Sequence, residues 1–561
     1  MKKRIFTLLM TVFLGSGFML QAQTTYNVPP DSALNEFISN NYDESGLSTY
    51  VLERDGYYVL TGSMNFSGDI AIVAEEGDGM RPVIIMGTND EGASNGWGML
   101  WTDGSIYYKS LNLKVTNDLG ARGPWSSALF SSSGSNVTFE MTDCIVEYSD
   151  GVSIWNETGT EVTLILRDNL FRWNGTNDGG RWQGFGSLLK NGSLDWAIME
   201  NNTFVENYSS LFIHENGHVK NFFFNHNTVV SNGQGPLRYM YADRAVCMNN
   251  LFVDAHFGGE TPQAMAGQDA ELLPMGIYAI DYYRAGDTIK PTGYPAEEDR
   301  INVIAYNVNY VSPEIKDYWA NMPDTFIVAD YEKGDNGFLN ERAYQMMKSE
   351  GDYNYPHFLW DDNLSVFVEA PGFTGYDLKV QQEIEISKHM NGYDANLSTE
   401  MGQWGKYPEA DGNAAFPLPK EYYDFAYTNE QYQLAAHEGY PLGDLNWWPQ
   451  KYEQWKNDEN KEDYDEIISS VLDGSFEFVD WYTRVEVDDH VIKMTDYLVY
   501  PNPVSGDILT VKGAENKVKT IYGLTGQMLL QTREDRIDVS SFSSGMYLIK
   551  IGNSVQKVSI K

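Results

Sequence analysis

Four short stretches carry the side chains best suited to chemistry: GVSIWN from Gly151, GSLLKN from Gly186, SLFIHEN from Ser210 and PLRYMY from Pro236. If Ile154, Leu189, Ile213 and Leu237 face a core, the residues after them face out, giving a column of Trp155, Lys190, His214 and Arg238. In adjacent parallel strands the neighbours stand one spacing apart, so Lys190 and Arg238 are separated by roughly 10 Å. A groove of that length spans two sugar residues, with cations along it and an indole on which a sugar ring can stack. The Gly-rich loop GTNDGGRWQGFG, from Gly175, brings Arg181 and Trp182 as an overhang to such a groove. The bland reading is that a surface strand carries polar residues anyway, and a slip of one residue turns the column inward.

The elements that must position these residues come from a repeat. The cores are FEMTDCIVE from Phe139, LILRDNLFR from Leu164, AIMENNTFV from Ala197, FFFNHNTVV from Phe222 and AVCMNNLFV from Ala245. Their sixth residues, Cys144, Asn169, Asn202, Asn227 and Asn250, lie 25, 33, 25 and 23 residues apart. An irregular period of this size marks stacked coils that differ in loop length. Five and three positions earlier the residues are apolar, as at Phe222 and Phe224, which is strand periodicity. Two positions later Val146, Phe171, Phe204, Val229 and Phe252 are apolar again. The two inward sets are five residues apart, so the alternation breaks and the strand bends at the reference residue. KSLNLKVTN from Lys109 fits as an earlier coil with Leu111 at the reference, and Asn307 fits as a later one.

Asparagine suits such a bend, because its amide donates and accepts and can bond the identical amide one coil away. A ladder of Asn169, Asn202, Asn227 and Asn250 needs parallel, in-register coils. An antiparallel sandwich does not explain why the apolar columns keep fixed offsets from the asparagines. The arrangement resembles the right-handed parallel β-helix of the pectate-lyase-like proteins, so the expected fold is all-β.

The chain begins MKKRIFTLLMTVFLGSGFMLQAQ, which reads as a secretory signal peptide over residues 1–22. The net charge of −40 makes nucleic acid a poor partner. It also disfavours an anionic polymer unless basic groups gather locally, while acidic oxygens are available for calcium. Residues 23–450 are assigned to the β-helix, with an aromatic-rich later part. DSALNEFISNN, NERAYQMMKSE and EYYDFAYTNEQYQLAAHEG are expected as helices, the first capped by Asp31 or Ser32. PLGDLNWWP, from Pro441, resembles the closing segment of secreted β-helix proteins of Bacteroidetes and names no chemistry. Residues 451–495 read as an acidic linker and helix. His218, His226 and His256 read as loop or surface histidines.

From about Asp496 alternating strands and Gly turns suggest a small β-sandwich. YPNP at Tyr500–Pro503, IYGLTGQ at Ile521–Gln527 and SSGMYLIKI at Ser543–Ile551 resemble the C-terminal sorting domain of the type IX secretion system. The resemblance implies export through the outer membrane of a Bacteroidetes bacterium to the medium or the cell surface.

The catalytic motifs of pectate lyases, such as WIDH and RxPxxR, are absent, so fold resemblance transfers no catalytic set. Resemblance to polysaccharide lyases of this fold still gives the column a meaning. Lys190 or His214 would take the proton α to a uronate carboxyl, Arg238 would bind that carboxylate, and Trp155 would stack on a sugar. Glu157 and Glu215 would hold calcium. A hydrolase would need two carboxylates facing one cleft, and no pair stands out in the sequence. The alternative to an enzyme is a non-catalytic glycan-binding or adhesin-like surface protein. The partners expected are a polysaccharide and the secretion machinery, with the chain itself a monomer.

Cys144 and Cys247 fall four coils apart, roughly 19 Å at ~4.8 Å per coil, against a limit of about 7 Å for a disulfide. The mass of the unreduced, alkylated protein is therefore expected to show two free thiols and no bridge.

Overall fold

The computed structural model describes residues 24–88, 100–117, 129–175, 187–259, 276–322, 337–390, 420–479 and 498–561. Short interruptions include 150–152, 190–191, 215–216, 283–293 and 362–368. The signal-peptide assignment lies outside the described residues. The chain divides into two compact units, Met1–Val479 and Asp480–Lys561.

The first unit is a parallel β-helix. Each coil contributes one strand to each of three sheets, of eight, eleven and nine strands among the described residues. One full coil runs Ile154–Asn156, Val162–Arg167 and Leu170–Arg172, and the next returns at Ser187–Leu189. All pairings within these three sheets are parallel, and the repeat cores stack in register: Leu166 on Met199 on Phe224 on Cys247. Inward side chains from the three sheets make one continuous core, in which Phe139, Phe171, Phe204, Phe222, Phe224 and Phe252 are fully buried. Several of these rings stack between coils, with centroids 4.7 Å apart for Phe171 and Phe204.

The bend between the eleven- and nine-stranded sheets is where the asparagines sit. Asn169 donates from its backbone N–H at 3.1 Å and from Nδ2 at 3.0 Å to Asn202 Oδ1. Asn202 does the same to Asn227, Asn227 to Asn250, and Asn250 to Asn307. The second Nδ2 hydrogen of each rung goes to a backbone carbonyl further back along the chain, as from Asn202 to Leu166 at 2.9 Å. Above the ladder, the Cys144 N–H donates to Asn169 Oδ1, and the Leu111 N–H to Cys144 Sγ. The residue before each rung is left-handed: Asp143, Asp168, Asn201, His226, Asn249 and Tyr306 all have φ between 52° and 61°. That conformation supplies the break in alternation. It costs about 1 kcal/mol per non-glycine residue, which the ladder bonds offset. Cys144 and Cys247 are buried free thiols, and burial pushes Cys144 up to about 12.

The outer face of the nine-stranded sheet is also covered. Ile145, Leu170, Val205, Val230, Leu251 and Val253 pack against Tyr376, Phe425, Tyr427, Tyr432, Leu442 and Trp455 of the later chain. This moves two expected boundaries. In the stretch read as an acidic linker and helix, Pro449–Asn457 and Tyr464–Asp473 are helices and belong to the first unit: Trp455 and Tyr464 are buried, and the Tyr464 ring stacks on Phe223 at 4.1 Å. The stretch expected as a helix from Glu421 is instead a strand at Asp424–Tyr427 followed by turns and a short 3₁₀ segment, because alternate residues Phe425 and Tyr427 must enter the cover. The helix Leu34–Asn40 forms as expected, with Ala33 rather than Ser32 at its N-cap and no side-chain cap bond, while Asp31 lies outside the described residues. The helix Glu341–Lys348 is capped by the Asn340 side chain.

The second unit has a three-stranded and a four-stranded antiparallel sheet over a core of Val504, Leu509, Val511, Ile521, Ile549 and Val558.

Truncating a middle rung strands polar groups in two neighbouring coils. Asn227→Ala is expected to lose about 2–4 kcal/mol in urea unfolding, and Asn307→Ala, with only Asn250 above it, about half as much.

Candidate functional site

The strands expected to carry the column do lie in one sheet, the eight-stranded one, but in a different register. Trp155 pairs with Leu188, Leu188 with Ile213, and Ile213 with Arg238. His214 pairs with Leu189, in line with Asn156 and one position away from that row. Trp155 and Arg238 therefore share a row and His214 lies one position off it, so these three do not form the expected column, and Lys190 lies outside the described residues. The reason is the offset: Trp155, Leu188 and Ile213 each precede their ladder asparagine by fourteen residues, while Lys190 and His214 precede theirs by twelve and thirteen. The Leu237 strand alone starts two residues closer to its rung, so Arg238 joins the row.

In that row Trp155 is half-buried and Arg238 is 1% exposed, its Nε donating to the Gly235 carbonyl at 3.3 Å. Glu157 is exposed on the following turn. Lys190, Arg181, Trp182 and Glu215 lie outside the described residues, as does the His214 side chain. Among the described residues no three His, Cys, Asp or Glu side chains gather as a metal site. HENGH at His214–His218 matches HExxH, which brings two imidazoles together only on a helix. Here His214 ends one strand and His218 begins the next, and His218 Nε2 meets Asp243 Oδ1 at 2.6 Å. Of the histidines expected in loops or at the surface, His226 and His256 lie in turns between strands and His218 begins a strand, and all three are buried.

Two buried polar groupings were not legible in the repeat. The first locks the closing segment onto the ladder bend. Gly443, at φ +79°, donates its N–H to the Asn249 carbonyl, and a Cβ there would stand 2.2 Å from Thr228 Oγ1. Asp444 accepts from Thr203 Oγ1 at 2.7 Å, and Asn446 Nδ2 donates to Asp168 Oδ1. In the NWWP stretch, Trp447 Nε1 donates to Thr203 Oγ1. PLGDLNWWP is thus a clamp. Behind it, Glu462 accepts from Trp455 Nε1 and Asn249 Nδ2, both at 2.8 Å, with His226 and His437 beside it. Burial works to raise this carboxyl, but the two imidazoles hold it well below the usual range.

The second grouping lines the far edge of the nine-stranded sheet. Glu147 lies between Lys114 and Arg172, all three fully buried. Burial, outweighing Glu147 and aided by Arg172, lowers the Lys114 ammonium to about 8. Further down, Glu206 accepts from Trp173 Nε1, Tyr376 OH and Lys379, and Tyr376 OH lies 3.3 Å from Ser231 Oγ, which donates to Glu383. Burial and then the Asp254 charge push Glu383 well above the usual carboxylate range, and burial raises Asp254 to about 6. Glu206 and Glu383 are a carboxyl pair that the sequence did not reveal, since Glu383 comes from a helix 177 residues later in the chain. Both are fully buried, which suits an internal lock and gives no cleft for a hydrolase.

A carboxyl raised on folding contributes stability while it stays protonated and loses it as pH rises from about 4.3 towards its folded value. Glu383→Gln keeps the acceptor for Ser231 and cannot ionise. Its melting temperature relative to the parent is expected to climb from pH 5 to pH 8, as read by calorimetry across that range.

Residues 498–561, the whole of the described second unit, match the family model for the secretion system C-terminal sorting domain. A search of curated proteins returned no match. The sorting domain marks a Bacteroidetes protein exported by type IX secretion to the cell surface or the extracellular space, and it implies engagement with that secretion machinery.

Proposed function

We propose that this secreted β-helix protein engages polysaccharide along the outer face of its eight-stranded sheet. The observation that carries this is the unequal treatment of the sheets. The later chain seals the nine-stranded face with an apolar core. The eight-stranded face instead carries the half-buried Trp155 in its outward row, two pairings above Ile213 and three above Arg238. The part of the Trp155 indole left exposed suits the apolar face of a sugar ring, while Ile213 and Arg238 further along the row are buried.

A second reading is β-elimination on a uronate-containing polymer. It is favoured by one feature, the guanidinium of Arg238 in the same row as Trp155, where it would neutralise a uronate carboxylate. Lys190 or His214 would then supply the base, removing the proton α to that carboxylate while the bond to the leaving sugar oxygen breaks.

Both are read in one experiment. The mature protein is screened against plant and algal polysaccharides for binding and for unsaturated product absorbance. Polymer binding that weakens at least tenfold in Trp155→Ala supports the first reading, and unchanged binding removes it. Absorbance that disappears in Lys190→Ala, His214→Ala or Arg238→Gln supports the second, and three fully active variants end it.

A further inference from the structure

The second unit carries an apolar stripe on the face of its four-stranded sheet that is turned away from its core. The strands Met528–Thr532, Lys519–Gly523, Gly545–Ile551 and Ser554–Ile560 follow one another across that sheet. Ile521 and Ile549 pair with each other and enter the core, so the next residues, Tyr522 and Leu548, which also pair, face out. On its other side Tyr522 pairs with Met528. Met528, Tyr522 and Leu548 therefore make a row over three strands, roughly 10 Å from first to last. Met528 is 57% exposed, and the other two are half-buried.

A bulge widens the stripe. The register shifts between the pairs Ile521–Leu530 and Tyr522–Met528, which leaves Leu529 with no residue opposite it. Leu529 is 42% exposed beside Met528. Regular alternation would hide one of two successive residues of this strand, and the extra residue lets both reach solvent. Among the described residues eight large apolar side chains stand exposed, and Tyr500, Val518, Met528 and Leu529 account for half of them in much the smaller of the two units. A contiguous exposed apolar patch marks an interaction site.

Charge and backbone say what fits it. Residues 498–561 hold eight Lys and Arg against five Asp and Glu, a net charge of +3 within a chain of −40. In the next row of the same face Lys550 pairs with Thr520 and is exposed. A second sorting unit laid on this face would set Lys550 against Lys550 and one positive unit against another. The bulge also spoils the Met528–Thr532 edge as a template for a further strand, so the patch is read through its side chains. The complementary surface is apolar and edged with carboxylates. The unit is matched over its whole described length as a sorting domain, and the partner that this implies is the type IX secretion machinery.

We propose that Met528, Leu529, Tyr522 and Leu548 are the face on which the sorting unit docks to that machinery, against an apolar surface edged with carboxylates. The proposal is independent of what the β-helix binds.

The test expresses the full chain in a Bacteroidetes host with type IX secretion and measures the share that reaches the cell surface and medium rather than the periplasm. The double variant Met528→Ser with Leu529→Ser is expected to lower that share at least tenfold. Its melting temperature should equal the parent's, because neither side chain belongs to the core. Lys550→Glu is expected to lower export as well, by setting a carboxylate against carboxylates, and Leu529→Met to leave it unchanged. Export at the parent's level in a double variant that melts like the parent overturns the proposal. If the double variant melts lower, Met528→Ser alone and Lys550→Glu decide, and parental export in both overturns it. Loss in the double variant with parental export in Lys550→Glu keeps the apolar face and removes its acidic counterpart. A concentration-dependent dimer of the parent in sedimentation, abolished in the double variant, assigns the stripe to a second copy of the chain and overturns the docking face.

Discussion

The fold depends on one repeated exchange: an asparagine Oδ1 that accepts both the backbone N–H and the Nδ2 of the asparagine in the coil before it. The left-handed residue ahead of each rung turns the strand so that the next apolar side chain points inward again. Without that residue the inward sets, five positions apart, would fall on opposite faces of a strand. Without the ladder, the polar backbone exposed by the turn would be buried unpaired. The two features have to occur together in every coil, and they do from Asn169 to Asn307. Parallel strands a few residues long are adequate here, because each is braced on both sides by its own image.

The same bend serves as an anchor for the later chain. Asp168, Asn201, His226 and Asn249, the left-handed residues, turn their side chains or carbonyls to Asn446, Leu445, Glu462 and Gly443. A solenoid face with a regular row of polar groups is thereby closed by a segment 194 to 278 residues away in sequence. Beneath it lie carboxyls in opposite states: Glu462 held ionised between two imidazoles, and Glu383 pushed towards the protonated form by burial. Ionisable groups of both kinds inside one interface reflect how each is neutralised locally, the first by neighbours and the second by its own proton.

Closing one sheet also ranks the others. The nine-stranded sheet sits between two apolar cores, and the lower coils of the eleven-stranded sheet are covered where Tyr464 stacks on Phe223. The corner between the nine- and eight-stranded sheets carries a shorter ladder, in which Asn174 donates to Asn207.

The sequence by itself determined the coils, the bend, the ladder and its extension to Leu111 and Asn307, the two free thiols and the sorting domain. Each of these is written in local periodicity or in a contiguous motif, and fixed offsets from the asparagines survive any change in loop length. What the tertiary structure decided is everything that depends on register across a variable turn or on distant segments. The strands of the eight-stranded sheet are three or four residues long, too short for alternation to show which residue faces out. A shift of one residue therefore separated His214 from the row of Trp155 and Arg238. The cover and the burial of Glu206 with Glu383 come from contacts between remote parts of the chain, and no spacing along the sequence encodes them.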